Sequence, residues 1–103
     1  MDTRFILYFV LSLLLNTSLK IVVNDPRPTD NCGTHYGWPS GHSQFASFLG
    51  MYLLLNVNSE LPMLITVVTG VSYTMYTRLY MGCHTLFQVI SGGIIGGILG
   101  YIV

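Results

Sequence analysis

The sequence predicts an all-α fold: one domain over residues 1–103, built as a polytopic bundle of about four membrane helices. Three observations predict it. Half of the side chains are apolar, while the chain carries only four basic and four acidic residues. A soluble domain has roughly a quarter of its residues charged. The apolar residues fall into long stretches separated by short polar segments. A chain of this length cannot hide so much apolar surface in a water-soluble core, whereas a bilayer accepts it. The formal net charge is zero, which gives no electrostatic basis for binding nucleic acid.

The first span is Phe5 to Val23, apolar apart from Ser12, Asn16, Thr17, Ser18 and Lys20. At about 1.5 Å per residue it reaches ~28 Å, enough to cross a thin hydrocarbon layer. Its length, its internal Lys20 and the poor small-residue cleavage site argue against a removable signal. Asn24 to Pro39 is a loop, because three prolines each remove an amide hydrogen and bias the preceding residue away from helix. The second span runs from about Ser40 to Val57. Asn58 to Pro62 is a turn, and the third and fourth spans run from about Met63 to Tyr80 and Thr85 to Val103.

Four spans with short connections fix a parity. The long loop and the Arg78–His84 junction lie on one face, and both termini lie on the other. One surface therefore collects Lys20, Arg27, His35, His42, Arg78 and His84. In the fourth span Gly92, Gly93, Gly96, Gly97 and Gly100 let another helix approach closely, within the chain or in a homo-oligomer.

Charged groups beside apolar helices are costly and invite a functional reading. Lys20, Arg27 and Arg78 together suit an anion: arginine grips two phosphate oxygens with a planar fork, and lysine adds a point charge. Ser40 is a helix N-cap in "PSGH", leaving the Gly41 and His42 amides at the positive end of the second span. Gly41 has no side chain to bar a phosphate. His84 stands one helical turn before Gln88, which can reach its ring and orient it, so the other nitrogen becomes a nucleophile. His42 can protonate a leaving oxygen. Cys32, His35, His42, Cys83 and His84 are zinc-capable. Their spacing is poor for one tetrahedral centre, however, so no metal site is expected. Cys32 and Cys83 give no disulfide framework and are expected to stay unpaired.

These residues resemble the type 2 phosphatidic acid phosphatase (PAP2) superfamily in all three blocks of its signature. "KIVVNDPRP" at Lys20–Pro28 matches lysine, six residues, Arg-Pro. Pro39–His42 is "PSGH". "TRLYMGCHTLFQ" at Thr77–Gln88 matches Ser-Arg, five residues, histidine, three residues, aspartate, with threonine for serine and glutamine for aspartate. Within the superfamily, "NDPRP", "YGWPSGHSQF" and "CHTLFQVISGG" are similar to the dolichyl diphosphatases, whose glutamine replaces the usual aspartate. The resemblance implies a PAP2/haloperoxidase-like bundle in the endoplasmic reticulum membrane. It implies hydrolysis of a polyprenyl (dolichyl) diphosphate without a metal or other cofactor. His84 would form a phosphohistidine, His42 would be the general acid, Gln88 would orient His84, and Lys20, Arg27, Ser40, Gly41 and Arg78 would hold the phosphoryl oxygens. Two alternatives stand beside this one: a phosphatase for another lipid phosphate such as phosphatidic acid, and a non-catalytic lipid-phosphate-binding protein that has lost turnover through Gln88. Members of the family usually carry additional membrane helices.

Overall fold

The computed structural model describes residues 3–27 and 37–103. It contains four helices in chain order: α1 Thr3–Val23, α2 Gly41–Asn56, α3 Leu61–Tyr80 and α4 Leu86–Ile102, with no strand element among the described residues. Each expected span is therefore present, with ends shifted by no more than a few residues. The starts of α1 and α3 each move two residues earlier. Pro62 belongs to the first turn of α3, not to the preceding turn, because a proline there lacks only an amide hydrogen the helix would not use.

Polarity is distributed inside out. Among the described residues the buried polar ones are Ser12, Asn16, Ser40, Ser43, Gln44, His84 and Gln88, whereas the buried apolar ones include Phe5, Phe48, Cys83 and Val89. The outward surface carries Leu7, Leu14 and Val22 on α1, Leu64, Ile65 and Val68 on α3, and Ile94 and Ile98 on α4. Such a surface suits hydrocarbon and not water, and Ser12, Asn16 and Gln44 bond with one another inside it. By length and composition α1 meets the requirement for crossing a membrane, and α4 is apolar over 17 residues.

The tightest contact in the bundle is between α2 and α4. A Cβ on Gly92 would collide with the Ser40 carbonyl, one on Gly96 with the Gln44 carbonyl, and one on Gly100 would lie 2.6 Å from the Phe48 carbonyl. Residues 40, 44 and 48 pair in order with 92, 96 and 100. The two helices therefore run parallel, with rows of every fourth residue matched. Three of the five glycines are thus spent on the α2–α4 contact. Gly93 faces the Met75 side chain, and Gly97 has nothing within 4 Å. α1 joins by a narrower seam. Phe5 meets Tyr52 and Phe48 with ring centroids 4.6 and 5.5 Å apart, and Phe9 meets Phe45 at 5.4 Å.

The contrast between two neighbouring glycines is testable. Gly96→Ala must push α2 and α4 apart, and overpacking of this kind costs about 1–3 kcal/mol. Gly97→Ala meets no atom and should be neutral or stabilising by up to about 1 kcal/mol through helix propensity. Thermal unfolding in detergent should show a lower Tm for Gly96→Ala only.

Candidate functional site

Two turns deliver the site residues. α1 stops at Asn24, whose φ of 55° is left-handed and whose amide closes on the Lys20 carbonyl at 2.9 Å. Asparagine tolerates that conformation, so the chain swings from Lys20 at the helix end to Arg27. After α3, Gly82 takes φ 73°. The Cys83 amide returns to the Arg78 carbonyl at 3.2 Å, and His84 follows.

α2 begins beside them. Ser40 caps it in an extended conformation, its hydroxyl accepting from the Ser43 amide at 3.4 Å. The first α2 amide bonded to a carbonyl is that of Gln44, to Ser40 at 3.0 Å. The Gly41 and His42 amides lie ahead of it, where a helix has no carbonyl of its own to offer them. The Ser40 amide donates to the Gln88 carbonyl at 3.1 Å, which fixes the α2 start against α4. Because the helices are parallel, both positive helix ends face the same place.

Lys20, Arg27, Gly41, His42 and His84 line one cavity of about 410 Å³. It continues along α1 and α2 past Ser12, Asn16, Gln44, Phe9, Leu13 and Phe45, so cationic and apolar walls share one space. Its polar wall is tied together: Asn16 donates to Pro39 O and Gln44 Oε1 at 3.1 and 2.9 Å, and Gln44 Nε2 donates to Ser12 Oγ at 2.8 Å. Lys20 Nζ donates to Pro39 O at 2.8 Å. Arg78 does not line this cavity. Its charge nevertheless acts on Arg27, whose pKa is lowered first by burial and then by Arg78. The Nε atoms of Arg27 and Arg78 are buried without a hydrogen-bond partner among the described residues. Two unanswered guanidinium donors are costly unless an acceptor meets them.

The tautomer of His84 follows from its partners. Nδ1 is 2.9 Å from the Gly37 carbonyl, which can only accept, so Nδ1 carries the proton. Nε2 is 3.2 Å from Arg27 Nη1, which can only donate, so Nε2 presents its lone pair. Burial, then the Arg27 charge, push the ring down to about 4, with a lesser push from Lys20, against the opposing pull of the Gly37 carbonyl and the nearby Gln88. At neutral pH His84 is therefore an uncharged base with its free nitrogen turned to the cations.

Gln88 is fully buried and its side chain acts on the ring, raising the His84 pKa, while its closest hydrogen bonds go to three other groups. Oε1 accepts from the Thr85 amide at 3.0 Å, and Nε2 donates to Asp25 Oδ2 and to Pro26 O, each at 2.8 Å. Thr85 Oγ1 in turn accepts from the Gln88 amide, which completes a capping box at the α4 start. Asp25 and Gly37 were missed as site residues. The pattern Thr85-x-x-Gln88 is itself a capping-box signal and pointed to this use of the glutamine. Thr77 keeps its hydroxyl on its own helix, donating to Thr74 O at 2.8 Å.

The expectation of two unpaired cysteines is corrected: Cys83 is disulfide-bonded. It follows the Gly82 turn, on the face that parity shares with the long loop, and its thiol is not offered to a metal. Cys32 and His35 lie outside the described residues, as does Pro28 of the first signature block.

Residues 3–103 match the PAP2 superfamily. The chain belongs to that superfamily. It is 35% identical to "Lipid phosphate phosphatase gamma" of Arabidopsis thaliana, over 88% of this chain and 46% of the relative. It is 33% identical to "Dolichyldiphosphatase 1" of Homo sapiens, over 82% of this chain and 44% of the relative. "Lipid phosphate phosphatase epsilon 1, chloroplastic" of Arabidopsis thaliana is 31% identical over 82% of this chain and 33% of the relative. The chain thus spans less than half the length of these PAP2 relatives. No solved structure gives a significant match.

Arg27 both pairs with Nε2 and repels a proton there, so Arg27→Ala should raise the His84 pKa from about 4 toward the ordinary histidine value. The sign extends to stability. A histidine depressed in the folded state contributes stability that is full above the unfolded pKa, near 6.5, and is lost as pH falls toward 4. Nitrogen-15 titration of histidine-labelled protein should show the shift, and the acid loss of stability should shrink in the variant.

Proposed function

We propose that the protein is an integral membrane lipid phosphatase of the polyprenyl (dolichyl) diphosphate type. The single observation that carries the reading is His84, held neutral with Nε2 free, in a cavity lined by Lys20, Arg27, Gly41 and His42. The cavity's apolar extension toward Phe9, Leu13 and Phe45 gives a lipid tail a path away from the charged end. The names of the relatives support a lipid phosphate or a dolichyl diphosphate as substrate class.

Arg27 moves from Nε2 to the incoming outer phosphate, joined by Lys20 and the Gly41 and His42 amides, with the Ser40 cap and the Arg78 charge supporting them from outside the cavity lining. Nε2 attacks the outer phosphorus, and the bond from that phosphorus to the bridging oxygen breaks. The bridging oxygen leaves with the lipid monophosphate and takes the proton of His42, which is left neutral. The His84 ring now carries the phosphoryl group on Nε2 and keeps its proton on Nδ1 against Gly37. Neutral His42 then removes a proton from water, the water oxygen bonds to phosphorus, and the nitrogen–phosphorus bond breaks. Inorganic phosphate departs and His84 returns to its starting tautomer. The cations and helix ends supply the positive charge this step requires, so the reading is metal-independent. It also assigns the protein to the endoplasmic reticulum membrane, in keeping with the subgroup that its motifs resemble. The reading also includes a homo-oligomer contact through the glycine-rich α4.

The test is phosphate release from a polyprenyl diphosphate and from phosphatidic acid, each with and without chelator. We expect kcat/KM at least about tenfold higher for the diphosphate, a difference of about 1.4 kcal/mol in barrier, with no effect of chelation. Preference for phosphatidic acid would favour the second lipid class. Loss of release on chelation, restored by metal, would overturn the mechanism. Binding of both lipids without release would identify a non-catalytic protein.

A further inference from the structure

Four residues form a closed ring of contacts around the back of His84. His84 Nδ1 donates to the Gly37 carbonyl at 2.9 Å. The Gly37 amide donates to the Asp25 carbonyl at 2.7 Å. The Asp25 carboxylate accepts from Gln88 Nε2 at 2.8 Å. Gln88 lies on the helix that His84 precedes, and the Gln88 amide group packs against Gly37 so closely that a Cβ there would be 2.7 Å from both Nε2 and Oε1. The superfamily signature places a carboxylate at the position of Gln88. Here the hydrogen-bond acceptor behind the histidine is a backbone carbonyl, and the carboxylate, Asp25, comes from the other side of the ring.

We propose that the Gly37 carbonyl is the group that orients His84, and that Asp25 and Gln88 are positioning residues that clasp Gly37 in place. This rests on the phosphatase reading of His84. A carbonyl differs from a carboxylate in one respect that matters: it fixes the ring without adding a negative charge, so the ring stays neutral and its Nε2 lone pair stays available. The clasp works because Gln88 is both donor and acceptor. Its oxygen serves the Thr85 amide, which leaves the NH₂ group for Asp25 and Pro26. The capping box thus determines which way the glutamine amide faces, and the amide determines where Asp25 stands.

The role separates from direct orientation by Gln88 through Gln88→Glu. A carboxylate keeps the acceptor for the Thr85 amide but has no donor for Asp25 or Pro26, and it faces the Asp25 carboxylate. If Gln88 oriented His84 directly, the added carboxylate would hold or improve the ring's hydrogen bond. If Gln88 is the clasp, kcat should fall between about 10- and 100-fold, the scale of a misplaced catalytic group, with KM little changed. The double variant Gln88→Glu with Asp25→Asn restores one donor–acceptor pair with the roles exchanged, and should recover most of kcat. Should Gln88→Glu fail to fold, Gln88→Asn makes the same cut without a charge, since a shorter amide does not reach Asp25.

A second readout is independent of turnover. In wild-type protein labelled with nitrogen-15 histidine, His84 should carry its proton on Nδ1. That proton should exchange with water faster in Gln88→Glu and slow again in the double variant. A wild-type proton on Nε2, or undiminished kcat and unchanged exchange in Gln88→Glu, would overturn the clasp. A wild-type protein that releases no phosphate from any lipid would overturn the phosphatase reading, and the exchange measurements would still decide the clasp.

Discussion

The close approach of α4 to α2 is the contact on which the other features depend. Gly92, Gly96 and Gly100 admit the backbone of Ser40, Gln44 and Phe48 where any side chain would stand. In hydrocarbon the lipid tails are as apolar as leucine, so helix association relies on van der Waals contact and buried polar bonds. The glycine row provides the first. The second comes from the Ser40 amide on the Gln88 carbonyl and from Gln44 bonded to Ser12 and Asn16. Because the paired helices are parallel, their positive ends coincide. A parallel pair is electrostatically unfavourable on its own, and an anion between the ends offsets that cost.

The same contact explains how cations can be collected beside apolar helices. Lys20, Arg27 and Arg78 come from three different segments, and the Arg78 charge, after burial, lowers the pKa of Arg27. Repulsion of this kind persists only where the surrounding structure holds it. The Asn24 turn, the Gly82 turn and the Lys20 bond to Pro39 O hold it here. The product is a histidine that is neutral because it is buried among positive charge. The local field that would attract a phosphate also keeps the His84 ring unprotonated.

Much of this was legible in the sequence. Runs of apolar residues located all four helices, since each must be long enough to matter in a bilayer. Parity placed the long loop and the His84 junction together, and the structure brings Lys20, Arg27, Gly41, His42 and His84 to one cavity. The glycine spacing announced a close helix contact, but spacing alone could not name the partner. Ser40, Gln44 and Phe48 share the same four-residue repeat, and only the three-dimensional register pairs the two rows. The acceptor behind His84 was hidden for a different reason. A backbone carbonyl has no sequence signature, and Gly37 reaches His84 across 47 positions of chain. Gln88 was legible in two ways, as a stand-in for aspartate beside His84 and as the last residue of a capping box, and its side chain both acts on the ring and closes the box. The disulfide at Cys83 was invisible because two cysteines far apart carry no pairing information.

The central claim is that His84 Nε2 is the atom that takes up phosphorus. It is tested most directly by quenching the protein during turnover of a polyprenyl diphosphate labelled in its outer phosphate, then locating the label. The account predicts an acid-labile, base-stable phosphoryl group on His84 that appears in wild-type protein and is absent from His84→Ala. Label on any other residue, or steady release of phosphate by His84→Ala at the wild-type rate, would contradict it.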